Sequence, residues 1–84
     1  MPIRFLRRRD VRELTGKPDS TIYLHVRQGL FPPPVRLGGN TSGWALHEVE
    51  AVNRALLAGS SEDDIKVLVR RLIEQRQAPA RVVA

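Results

Sequence analysis

Eighty-four residues contain no cysteine, one methionine and only four aromatic side chains: Phe5, Tyr23, Phe31 and Trp44. Without cysteine there is no disulfide framework, no thiolate metal site and no cysteine nucleophile. That absence fits a reducing compartment. Long apolar runs are missing too, and nothing approaches the ~20 residues of a membrane span. The opening MPIRFLRRRD is basic but has no apolar stretch behind it, so it does not read as a secretory signal. A cytoplasmic protein with no membrane partner is the expectation.

The parts of an enzyme are equally scarce. His25 and His47 are far apart with no cysteine between them, which does not suit a metal site. Gly38-Gly39 lacks the lysine and hydroxyl of a phosphate-binding loop. Glu62, Asp63 and Asp64 stand where a helix begins, a position that dipole complementarity explains better than acid–base chemistry. No nucleophile comes with a base and an orienting group. Hence no catalytic residue, metal or cofactor is expected.

What the chain does have is positive charge in one place. Residues 1–43 carry Arg4, Arg7, Arg8, Arg9, Arg12, Lys17, Arg27 and Arg36 against Asp10, Glu13 and Asp19. Residues 44–84 carry six basic and six acidic side chains, so the whole net charge of +5 lies in the first half. Such asymmetry points to a polyanion, with nucleic acid ahead of an acidic membrane surface. A chain this short makes one domain and must find a partner for every apolar face.

Two short helices open the chain. LRRRDVRELTG predicts a helix over about residues 8–15, with Val11 and Leu14 on one face and Gly16 just past its end. KPDSTIYLHVRQG predicts a second over about 18–28, with Pro18 at its first turn and Gly29 closing it. A tight turn containing glycine between them matches a helix-turn-helix. At about 100° per residue, Ile22 and Val26 define the buried side of the second helix. Ser20, Leu24, Arg27, Gln28 and, at the margin, Thr21 then face outward, with Tyr23 and His25 at the boundary. Hydroxyls, an arginine and a glutamine on one face can meet base-edge donors and acceptors in a major groove.

GLFPPPVRLGGNTSGW then interrupts the helical pattern. Pro32-Pro33-Pro34 has no N–H to extend a helix and runs extended. Val35-Arg36-Leu37 alternates with period two, which predicts Val35 and Leu37 inward and Arg36 outward. Gly38-Gly39-Asn40 supplies a hairpin turn, and Thr41 to Ala45 returns with Trp44 as an anchor. A lone hairpin is barely stable in water, so it must lean on the helices through Phe31, Val35, Leu37 and Trp44. A hairpin beside a helix-turn-helix, with an outward arginine, is a wing. LHEVEAVNRALLAG predicts a third helix over about 46–58, with a stripe of Val49, Val52 and Leu56. SSEDDIKVLVRRLIEQR predicts a fourth, capped by Ser60 or Ser61, with Ile65, Leu68, Val69, Leu72 and Ile73 on one stripe. That stripe either completes the core or offers a dimer face.

Taken in order, RRRDVRELTG, STIY, FPPPVRLGG and W…EVEA resemble the AlpA-like prophage regulatory proteins. These are small winged helix-turn-helix proteins related to phage excisionases and to MerR-type DNA-binding domains. The resemblance covers roughly residues 4–57, and AGSSEDDIKVLVRRL is similar to the extra helix of some members. It implies sequence-specific binding of double-stranded DNA that controls prophage or mobile-element genes, often those for excision. Ser20, Thr21 and Tyr23 match the start of the recognition helix, Arg36 and Gly38-Gly39 the wing, and Trp44 and Glu48 the start of the third helix. Leu24 and Asn40 stand where members usually carry basic residues, and Ala45 where an arginine commonly follows the tryptophan. Arg27 and the cluster Arg7 to Arg12 are the cations that would compensate.

The expected fold is therefore mainly α: a winged helix-turn-helix of MerR/excisionase type with a small hairpin wing and an extra C-terminal helix. Residues 1–59 form the DNA-binding domain, 60–77 an amphipathic helix packed on it or forming a dimer face, and 78–84 a frayed tail. The expected DNA contacts are Ser20, Thr21, Tyr23, Leu24, Arg27 and Gln28 on the second helix, Arg36 and Asn40 on the wing, and Arg7, Arg8, Arg9 and Arg12 at the start of the first. Such a protein is nucleoid-associated when bound, acting alone, as a dimer or cooperative array, or with an integrase. The competing reading is a protein-interaction module whose last helix binds an integrase or a repressor, the basic half being incidental.

Overall fold

A computed structural model describes residues 2–83, with side chains described for 2–76. Helix α1 (Arg8–Thr15) starts where the Arg7 amide donates to the Asp10 carboxylate at 3.1 Å, and ends at Gly16. Gly16 has φ 68°, a left-handed conformation that turns the chain sharply and that side-chain-bearing residues resist. Helix α2 (Asp19–Gln28) follows after Pro18, which is extended at φ −70°, ψ 161° and caps the helix from outside rather than forming its first turn. Residues 32–34 then run without regular structure into β2 (Val35–Gly38), which turns at Gly39-Asn40 into β3 (Thr41–Ala45). Helix α3 (Leu46–Leu57) begins at once, and α4 (Glu62–Val83) closes the chain. The Asp64 amide donates to the Ser61 hydroxyl at 3.1 Å, which makes Ser61 the cap of α4.

The architecture is mainly helical with a small antiparallel sheet, as expected of a winged helix-turn-helix. The sheet has a third strand that the sequence pattern does not announce. Phe5-Leu6 forms β1 and pairs with Ala45 and Trp44, giving the order β1-β3-β2. The wing is therefore a hairpin rooted in a third strand.

The core lies where α1, α2, α3 and α4 meet the root of this sheet. Val11, Ile22, Phe31, Val49 and Val52 are completely buried, joined by Leu6, Trp44, Ile65, Val69 and Leu72. Val26 packs against them, so the buried side of α2 is the expected one. Ile65, Val69 and Leu72 place the stripe of α4 inside the chain's own core, with Leu68 and Ile73 packed beside them. Three of the ten core residues come from α4, so the small domain depends on it for its core.

Four expectations need correction. Leu14 is exposed although it shares a face with Val11, because so short a helix presents one turn to the core. Leu56 lies on the stripe of Val49 and Val52 but is 44% exposed, because Ala55 and not Leu56 carries the last turn's contact with the core. Leu37 is exposed rather than inward: it lies across Gly43, which has no side chain to support it. Helix α4 continues to Val83, past the expected end at 77 and through Pro79, which local propensity does not explain. The expected tail, 78–84, lies outside the residues whose side chains are described.

Candidate nucleic-acid interface

The exposed side of α2 divides into two flanks about its buried line. Counting about 100° per residue from Ile22, Tyr23, Arg27 and Ser20 fall on the flank towards the wing. Thr21, Gln28 and Leu24 occupy the crest and the opposite flank. Ser20, Tyr23, Leu24, Arg27 and Gln28 are exposed and Thr21 is half-buried. Tyr23 is tied to the wing, its ring 6.2 Å from that of Trp44 and tilted by 59°. The Trp44 indole N–H in turn donates to the Pro32 carbonyl at 3.1 Å. One aromatic pair thereby fixes the spacing between α2 and the sheet.

Between them opens a cleft of about 550 Å³ lined by Arg7, Arg8, Arg9, Asp10, Arg12, Tyr23, Ser42 and Trp44. It gathers all four arginines expected at the start of α1, and it adds two residues of β3. Asp19, at the start of α2, organises part of the cluster: one carboxylate oxygen accepts from Arg12 Nη1 at 3.0 Å and lies 3.4 Å from Arg8 Nε. Its other oxygen, Oδ1, is buried without a hydrogen-bond partner. Both arginines remain well exposed, so each pair holds its guanidinium loosely, at about 0–1 kcal/mol. Among the described residues no carboxylate lies within ion-pair distance of Arg7, Arg9, Arg27 or Arg36.

The wing is antiparallel, so residues directly opposite share a face. Arg36 pairs with Ser42, and Trp44 lies two residues further along the same strand. Arg36, Ser42 and Trp44 thus share the face of the sheet that looks onto the cleft, while Val35, Gly43 and Phe5 share the other. Arg36 bends back over its own turn, Nη2 lying 3.4 Å from the Gly39 carbonyl oxygen. Asn40 is exposed in the turn itself. Arg36 and Asn40 do not line the cleft; they stand beyond it, towards the tip.

Two titratable groups lie behind α2. Burial pulls the His25 imidazole below its usual pKa, helped by the nearby Lys17 ammonium and opposed by Glu62. Burial also lowers the pKa of Lys17, whose ammonium sits 5.5 Å from the centre of the Phe31 ring. The sequence reading did not place Asp10 or Ser42 in the cleft, nor Asp19 against two of its arginines. Ser42 is small and neutral, but its place opposite Arg36 across a Gly-Gly-Asn turn could have pointed to it.

The sequence matches the family described as "Prophage CP4-57 regulatory protein (AlpA)" over residues 4–51, from the strand before α1 into α3. A protein of Enterobacteria phage P4, described as "Uncharacterized protein ORF88", is 46% identical over 56 residues. That match spans 67% of this chain and 64% of the phage protein. No solved structure matches the chain. Among the described residues, no helix is long and apolar enough to cross a membrane. With its two helices, wing and basic cleft all inside or bordering the matched segment, the chain belongs to the AlpA family of prophage regulatory proteins.

Proposed function

We propose that this protein binds double-stranded DNA sequence-specifically and so regulates prophage or mobile-element genes, as a transcription factor or an excisionase-like factor. The observation that carries the reading is the cleft. It brings four guanidinium groups of α1 together with Tyr23 of α2 and Ser42 of the wing, on the side where Arg27 and Arg36 stand without carboxylate partners. A phosphate backbone crossing that cleft would meet cations from α1 and leave α2 beside the groove.

The roles divide by position. Arg7, Arg8, Arg9 and Arg12 hold phosphates; the Asp19 pairs are weak enough for a phosphate to replace the carboxylate. Ser20, Thr21, Tyr23, Leu24, Arg27 and Gln28 present hydrogen-bonding and apolar groups to base edges. Arg36 and Asn40 of the wing touch the neighbouring backbone or minor groove. A cytoplasmic, nucleoid-bound protein belongs to this reading, and no catalytic step does.

Titration of the purified chain against duplex DNA at several salt concentrations tests it. If four arginines each neutralise a phosphate, log affinity falls with log salt at a slope of about −4. Replacing Arg7, Arg8 and Arg9 together by alanine weakens binding to any sequence. Absence of a complex at low salt would hand the function to protein–protein interaction instead.

A further inference from the structure

We propose that Arg76 of α4 is a positioning residue for the wing, fixing the angle at which Arg36 is presented; this rests on the DNA-binding reading. Three prolines precede the wing, and none has an N–H to give a sheet. Two of their carbonyls are held by side chains. Pro32 accepts from the Trp44 indole at 3.1 Å, and Pro33 from Arg76 Nη2 at 2.8 Å. The same guanidinium grips Glu48 of α3 with two of its three nitrogens, Nε to Oε2 at 2.8 Å and Nη2 to Oε1 at 2.5 Å. A single planar fork therefore joins α4, α3 and the residue two before β2. Lysine, a point donor, cannot reproduce that geometry.

The wing needs such a hold at its root. Strand β1 pairs only with Trp44 and Ala45, so β1 leaves Arg36 to Ser42 paired with nothing but each other. Their tilt over the cleft is set where the proline segment meets the core. Stability alone does not account for the arrangement. Glu48 is 1% exposed, and well-packed apolar side chains often replace a buried ion pair without loss. What an apolar pair would not supply is the bond to the Pro33 carbonyl. The fork holds a place more than it adds stability.

Arg76→Met alone strands a buried carboxylate and lowers the melting temperature, so it cannot by itself separate folding from positioning. The paired replacement Glu48→Met with Arg76→Met removes both charges and the tie to Pro33. Its fold is checked by a cooperative thermal melt, and Arg76→Lys serves as the charge-retaining control. Without DNA, the amide resonances of Arg36, Gly38 and Ser42 should move in the paired variant while those of α2 stay in place. With DNA, its affinity and salt slope should fall by the same factor as in Arg36→Ala. Adding Arg36→Ala to the paired variant should then change nothing further, since residues acting through one another are non-additive. Arg76→Lys should behave like the paired variant. Full additivity with Arg36→Ala, or wing amides that stay put, overturns the proposal. If the wild type binds no duplex, the DNA reading falls, and the amide shifts still decide whether Arg76 sets the wing.

Discussion

Gly43 lies in β3 against the backbone of β1, and Gly43→Ala measures how closely β1 must approach. A Cβ there would lie 2.9 Å from Leu37 Cδ1, 3.0 Å from the Leu6 carbonyl oxygen and 3.5 Å from Phe5 Cβ. The first contact is cheap, because Leu37 is the exposed end of a flexible chain. The second is not. Leu6 is backbone in a paired strand, its side chain is 4% exposed, and Val11 and Trp44 share its core. Forcing extra volume into a packed site costs about 1–3 kcal/mol. Alanine returns about 0.5–1 kcal/mol of backbone entropy that glycine loses on folding. From the middle of each range, about 2 less about 0.75, the net loss is about 1.25 kcal/mol, which lowers Tm by roughly 5–10 °C in a domain of this size. Thermal melts followed by circular dichroism read it directly. Adding Leu37→Ala should recover only the smaller part, since the Leu6 carbonyl remains in the way. A Gly43→Ala protein melting within a degree of wild type would refute the reasoning, and full recovery by Leu37→Ala would show that β1 is not the constraint.

Arg27→Ala should narrow the gap in affinity between the specific site and random duplex, by about 1–3 kcal/mol if its base contact is bidentate. Arg36→Ala should weaken both duplexes nearly equally and lower the salt slope by about one; titrations on cognate and scrambled duplex at two salt concentrations separate the two, and the reverse pattern would exchange their roles. His25 gives a pH dependence of known sign. Its folded pKa is held below the usual 6.5, mainly by burial. The unfolded chain therefore takes up the proton first, and the stability that neutral His25 allows is lost as pH falls from above 6.5 through the lower folded value. The drop in Tm between about pH 7.5 and about pH 5.5 should be larger for wild type than for His25→Gln; equal drops would mean that His25 is not the group responsible.

The helices were legible in the sequence because their signals are local. Ile22 and Val26 recur at helical spacing, Ser61 precedes three acids, and glycines stand just past α1 and α2. The existence of the wing was legible for the same reason: three prolines, an alternation and a Gly-Gly-Asn turn fall in order. Its orientation was not. Period two says that Arg36 and Leu37 face opposite ways, but which face meets the helices depends on β1, and Phe5-Leu6 is a strand only because Trp44-Ala45 lies beside it. The Glu48–Arg76 fork joins residues on two different helices, and no periodicity couples them. The charge split did place the basic cluster, since that cluster is consecutive in the chain. Ser42 enters the cleft, and Asp19 pairs with two of its arginines, through tertiary placement alone.

The distribution of charge also bears on how such a protein would search DNA. Among its exposed residues α2 carries a single arginine, Arg27, while four surround the start of α1 and one stands on the wing. On the DNA-binding reading, cations on α1 and the wing would supply attraction that is the same for every sequence, because phosphates carry no base identity. The outward side of α2 also presents Ser20, Thr21, Leu24 and Gln28, which gain nothing from charge and must fit base edges to contribute. Leu24 and Asn40 sharpen that division: neither brings a charge whose attraction would not discriminate. Leu24, 40% exposed at the centre of the outward face, can contact a thymine methyl but no phosphate. On the DNA-binding reading, affinity and selectivity therefore reside in different elements. Substitutions in α1 should move the first without the second, and substitutions on α2 the reverse.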